Sequence, residues 1–143
     1  MRLTTYTDYS LRILIYLGTQ PEKQLTNIKK LSELFNISNN HLSKIIFDLG
    51  KLGLIGTTRG RNGGIQLAKR PIDINLGYVI RETEKNLDIV ECFDEKNNTC
   101  KISSCCRLKP IFKEALDAYF KVLDSYTLND LIHNAKALNA LLN

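Results

Sequence analysis

The stretch that most constrains the fold is "LTNIKKLSELFNISNNHLSKIIFDLGKLG", residues 25–53, which carries two helical patterns with only a turn between them. Ile28, Leu31, Leu34 and Phe35 fall on one face of the first helix, with Thr26 expected as its N-cap. Asn36 and Ile37 form the turn, and Ser38 is expected to cap a second helix. On that helix Leu42, Ile45, Ile46 and Leu49 share a face, and Gly53 supplies the stop. Two short amphipathic helices about a tight turn, the second with a polar leading end, make a helix-turn-helix. The segment after it, "LIGTTRGRNGGIQLA", has β-prone runs at Leu54–Thr57 and Ile65–Leu67 flanking "TRGRNGG". Gly60, Gly63 and Gly64 are expected to supply the positive φ of a tight hairpin, with Arg59 and Arg61 at its tip. Such a hairpin is a wing.

The remaining segments read as helices. Residues 8–18, "DYSLRILIYLG", have little polar surface and belong inside. Pro71 and Asp73 introduce a short helix over Asn75–Thr83. A long helix is expected over Arg107–Tyr126, with Pro110 in its first turn. Leu108, Phe112, Ala115, Tyr119, Val122 and Tyr126 recur along it at spacings of three and four. Ile111, Leu116, Phe120 and Leu123 widen the stripe beyond what one small domain covers, which points to a second copy of the chain, a homodimer. Thr127 then caps one last helix, "LNDLIHNAKALNALL". The fold class is thus mainly α: a winged helix-turn-helix with a two-stranded β wing, plus a long dimerisation helix. The expected organisation is a winged helix over residues 1–83, a cysteine-rich loop over 84–106, and dimerisation and C-terminal helices over 107–143.

Charge is distributed unevenly. Residues 1–83 hold 12 Lys/Arg against 6 Asp/Glu, and residues 84–143 hold 8 against 9. A basic first half suits a polyanion, and the helix-turn-helix makes that polyanion double-stranded DNA. The major groove admits one helix, whose N-terminal residues read base edges. Here those residues are Asn39, Asn40, His41, Ser43 and Lys44, all able to hydrogen-bond and none acidic. For His41 a plain surface imidazole remains the competing role. Arg59 and Arg61 suit a flanking minor groove or its phosphates. No apolar run approaches the roughly 20 residues that cross a bilayer, and no secretion signal is apparent, so a cytoplasmic protein without a membrane partner is expected.

All four cysteines lie in "CFDEKNNTCKISSCC", residues 92–106. A thiol nucleophile needs a base, and neither His41 nor His133 stands in a pattern that recruits it, so the chain does not read as an enzyme. Zinc favours paired cysteines two to four residues apart. The gaps here are seven residues from Cys92 to Cys100 and five from Cys100 to Cys106. A reversible thiol switch remains open, with Lys101 and Arg107 able to depress a thiol pKa. So does an iron–sulfur cluster, whose body is wide enough to suit such gaps.

"TDYSLRILIYL", "ISNNHLSKIIFDLGKLGLI", "RGRNGGIQL" and the cysteine loop together resemble the NsrR/IscR family of bacterial winged-helix iron–sulfur regulators, over essentially the whole chain. "DIVECF" and the C-x7-C-x5-C arrangement look most like its nitric-oxide-sensing NsrR branch. The resemblance implies a repressor that binds a palindromic operator as a homodimer and answers to nitric oxide. It implies Cys92, Cys100 and Cys106 as ligands of an iron–sulfur cluster, 4Fe–4S ahead of 2Fe–2S, with Cys105 an extra thiol. IscR-type members carry a histidine three residues after the third cysteine, where this chain has Lys109. NsrR-like members are implied to use a carboxylate from the partner's first helix, which here is Asp8; favourable placement at the helix dipole is the alternative role for that acid. A cluster-free thiol sensor and an iron- or cluster-status sensor of the same family are the competing functions.

Overall fold

The structure is a computed structural model and describes residues 2–142. Helix α1 runs over Thr5–Thr19, three residues earlier than expected, because Thr4 caps it by accepting from the Thr7 amide at 3.3 Å. Helices α2 (Ile28–Phe35) and α3 (Asn39–Lys51) form the helix-turn-helix. Its turn is built residue by residue. Asn36 takes the left-handed conformation, φ 52°, that ends α2. Ile37 drops into the core, and its carbonyl accepts from Ser32 Oγ at 2.7 Å. Ser38 then accepts from the His41 amide and starts α3. Asn27 caps α2 in place of Thr26, accepting from the Lys30 amide at 2.9 Å. Thr26, a β-branched residue, is extended instead and exchanges both backbone hydrogen bonds with Ile65 of the wing, at 2.8 and 3.0 Å.

Strands β1 (Ile55–Thr58) and β2 (Gly64–Leu67) pair antiparallel in the register Ile55 to Leu67, Thr58 to Gly64. Of Gly60, Gly63 and Gly64, only Gly60 has a positive φ, 106°. The other two are required for space. A Cβ on Gly63 would run into the Thr58 carbonyl, and one on Gly64 would sit 2.6 Å from the carbonyl oxygen of Thr26.

A 3-10 turn at Pro71–Asp73 leads to α4 (Leu76–Thr83), capped by Asn75. After the cysteine loop come α5 (Leu108–Asp124), α6 (Leu128–Leu131) and α7 (Ala135–Leu142). The single last helix expected from the sequence is two. The chain turns at Ile132–Asn134, and α7 folds back on α1, where the Asn139 amide donates to the Thr19 carbonyl at 3.1 Å. One core unites the ends of the chain: Ile13, Leu31, Leu42, Leu49, Ile74, Val79 and Leu128 are buried together. No described helix is long and apolar enough to cross a membrane.

The close approach of Gly64 to Thr26 gives a direct test of the wing's seating. Gly64→Ala should cost about 1–3 kcal/mol in urea unfolding, the usual range for forcing a methyl into a packed site. Gly56→Ala, whose Cβ would meet its neighbours no closer than 4.0 Å, should leave stability within a few tenths of that of the wild type.

Candidate functional site

The residues expected to meet DNA are all exposed: Asn39, Asn40, His41, Ser43 and Lys44 on α3, Arg59 and Arg61 in the hairpin turn. The core fixes where they point. Leu42, Ile45, Ile46 and Leu49 anchor the opposite face of α3 at 5% exposure or less. Farther along α3, Asp48 accepts from the Tyr6 hydroxyl at 2.7 Å and pairs with Lys51 at 3.7 Å, tying the helix to α1. Burial, then the Asp48 carboxylate, pushes the Tyr6 hydroxyl pKa up, so it stays a donor.

The cysteines are free thiols: Cys92 buried, Cys100 and Cys106 half-buried, Cys105 exposed. Cys105 and Cys106 lie just before α5. Local polar contacts give the loop its shape. Glu91 accepts from both the amide and the hydroxyl of Thr99, which holds its carboxyl below the usual range. Asp94 accepts from the Lys96 amide and the Asn97 side chain, with the same effect on its own carboxyl. Asn98 accepts from the Cys100 amide at 3.0 Å and donates to Ser103 Oγ at 3.0 Å.

Among the described residues no three His, Cys, Asp or Glu side chains converge closely enough to hold a metal. The donor chemistry nevertheless fits a thiolate-held cluster. Four free thiols share one short loop, Cys92, Cys100 and Cys106 among them, and that loop is held by local side-chain hydrogen bonds to neighbouring side chains and backbone amides. Asp8 lies apart from them on α1, half-exposed in an open cleft with Tyr9, Phe35 and Asn36. Its carboxylate meets Arg12 at 2.7 Å, one helical turn on. Arg12 went unnoticed in the sequence, although the i, i+4 spacing from Asp8 is itself the signal. Glu91 and Asn98 were equally unmarked, since their partners are set by the loop's path.

Helix α5 separates the two apolar sets that the sequence merged. Phe112, Leu116, Tyr119 and Leu123 are half-buried and Phe120 is 7% exposed, against the chain's own body. Leu108, Ile111 and Val122 remain 51%, 58% and 59% exposed, in line with the exposed Ala115 and Ala118.

The loop's dependence on one carboxylate is measurable. Glu91→Ala should speed hydrogen exchange at the Thr99 amide while leaving core amides such as that of Leu49 unchanged. In the wild type, the same bond should persist above the ordinary carboxylate range and weaken as pH falls through the depressed Glu91 pKa, because protonation removes the charged acceptor.

Comparison with known proteins agrees with this architecture. The profile of the Rrf2 family, described as an iron-dependent transcriptional regulator, matches residues 3–134. The HTH-type transcriptional regulator NsrR of Halalkalibacterium halodurans is 55% identical over 142 residues, 99% of this chain and 97% of that one. Among solved structures, CymR, the global cysteine regulator of B. subtilis, aligns with a TM-score of 0.72 at 28% identity, covering 92% of this chain and 95% of its own. IscR of T. potens aligns with a TM-score of 0.74 at 26% identity, over 94% and 88% respectively.

Proposed function

This chain belongs to the Rrf2 family of transcriptional regulators and is not an enzyme, and from that premise we propose that it is a promoter-binding repressor whose hold on DNA is governed by an iron–sulfur cluster sensitive to nitric oxide. One observation carries the reading: a reading helix and arginine wing share a single folded body with three free thiols at the C-x7-C-x5-C spacing. The 55% identity to a regulator named NsrR supports it further.

Two copies of the chain form the working unit. The exposed seam Leu108, Ile111, Ala115, Ala118 and Val122 on α5 is the surface that joins them. Pairing there presents two α3 helices to successive major-groove faces, about 34 Å apart on a palindromic operator. In each copy Asn39, Asn40, His41, Ser43 and Lys44 meet base edges and backbone, while Arg59 and Arg61 follow the flanking phosphates.

Cys92, Cys100 and Cys106 would hold the cluster, and Asp8 of the opposite copy would supply an oxygen ligand. When bound, the cluster supplies iron open to a small diatomic, because oxygen binds iron less tightly than thiolate does. Arg12 meets the Asp8 carboxylate at 2.7 Å and orients it whenever it is not engaged across the dimer. Glu91, next to Cys92, bonds Thr99, and Asn98 accepts from the Cys100 amide, so both shape the loop beside these two cysteines. The loop runs directly into the start of α5, and α5 packs on α4.

Protein purified without oxygen should be brown, contain iron and acid-labile sulfide, and release operator DNA when nitric oxide is added. Cys92→Ala, Cys100→Ala and Cys106→Ala should each be colourless, whereas Cys105→Ala keeps its visible absorption. Release by nitric oxide from material free of iron and sulfide would overturn the reading in favour of a cluster-free thiol sensor.

The wing has its own test. In Arg59→Ala the slope of log affinity against log salt should fall by about 1 per protomer, with weaker binding to every duplex alike. An unchanged slope removes Arg59 from the phosphate contacts.

A further inference from the structure

Phe47 is 64% exposed on α3 and is not among the apolar residues packed on the core. At about 100° per residue, Asn40, Lys44, Phe47 and Lys51 fall in a single narrow line along the helix. Leu42, Ile45, Ile46 and Leu49 occupy the opposite side, buried. Phe47 is therefore not a core residue displaced to the rim. It stands at the centre of the outward face that carries the polar residues assigned to base reading.

Its surroundings fix its orientation. Lys51 Nζ lies 4.6 Å from the ring centroid, Lys51 pairs with Asp48 at 3.7 Å, and Asp48 is held by Tyr6 at 2.7 Å. One face of the ring is thereby covered by a cation, and the rest is left to solvent. The position along the helix also suits the groove. From Asn40 to Phe47 the axis rises about 10 Å, two turns along a helix of the kind the major groove admits. The only apolar group that major-groove base edges offer is the thymine 5-methyl, and aromatic rings are among its recognised partners.

We propose that Phe47 is a base-reading residue that packs its ring on the 5-methyl group of a thymine in each operator half-site. The inference rests on the DNA-binding reading above and adds to it a specificity that the polar residues of α3 do not supply. Lys44 and Lys51, on either side of the ring, complement the phosphates flanking that thymine and favour DNA over an apolar protein partner.

The test uses the full-length, cluster-loaded protein and duplexes that it selects from a randomised pool. Each thymine of the selected site is replaced in turn by deoxyuridine, which lacks only the methyl group. Wild type should lose roughly fourfold in affinity at one thymine per half-site, the effect of one buried methyl group. Phe47→Ala should bind the selected site more weakly, show no response to deoxyuridine at that thymine, and keep its discrimination at the other positions. Phe47→Leu, which still offers a methyl-sized apolar surface, should retain part of the response. Because Phe47 is exposed, urea unfolding should be the same for all three proteins, which separates loss of reading from loss of fold. If wild type and Phe47→Ala respond equally to every deoxyuridine, the proposal is overturned while DNA binding stands, and the ring is then a site for another protein. If the wild type selects no duplex at all, the DNA-binding reading fails and takes this proposal with it.

Discussion

The structure turns on the joint between α4 and the C-terminal end of α5. Arg81 donates to both carboxylate oxygens of Asp124, at 2.6 and 2.7 Å, and its guanidinium lies 4.1 Å from the centre of the Phe120 ring. Gly77 makes this approach possible, because a Cβ there would collide with the Asp124 carboxylate. Asn75 caps α4 with its side-chain oxygen and uses its amide nitrogen on the Asp124 carbonyl at 2.7 Å. Backbone bonds complete the joint: the Leu76 amide donates to Tyr126 at 3.0 Å and the Leu128 amide to Ile74 at 2.8 Å. With one end so fixed, α5 extends about 25 Å as a single lever. Its free end begins two residues after Cys106.

That geometry assigns different tasks to different energies. Driving a two-state equilibrium from 99:1 to 1:99 takes about 5.5 kcal/mol of differential stabilisation. An exposed ion pair such as Arg81–Asp124 falls far short of this and could not by itself drive such a change. The loop at the other end of α5 is the place where a large change fits. Glu91, Asp94 and Asn98 hold it through local hydrogen bonds to exposed or half-buried partners, and of its cysteines only Cys92 is buried. Segments built this way belong to the low-stability end of a fold, in contrast to Ile13, Leu49 and Val79, which are buried in the core.

The parts legible in the sequence are those whose signals are local. Ser38 as a cap, the Asn36 turn and the buried face of α3 follow from residue chemistry within one or two turns, and the structure has each of them. The family resemblance read from the wing and cysteine spacing agrees with the profile match over residues 3–134. What escaped was set by distant partners. Thr26 was given the capping role of Asn27 because its pairing with Ile65 lies 39 positions along the chain. Gly63 and Gly64 were assigned to backbone conformation, when the carbonyls of Thr58 and Thr26 are what exclude a side chain. The break at Ile132–Asn134 has no glycine or proline to announce it. It is visible only once α7 is seen against α1.

The exposed apolar residues divide by the same reasoning into two kinds. On α5, Leu108, Ile111 and Val122 form a row with two alanines between them, aliphatic and nearly flat, with no side-chain donor in the line itself. A like surface from a second copy can cover such a row without leaving a polar group unpaired. Phe47 differs in each respect: it is single, aromatic, capped by the Lys51 ammonium and flanked by side chains rich in hydrogen-bond donors. A surface that covered it with hydrocarbon alone would strand those donors, at a cost that grows with burial. What suits it is a partner offering a small apolar group among acceptors and negative charge, and the edge of a thymine beside its phosphates is such a partner.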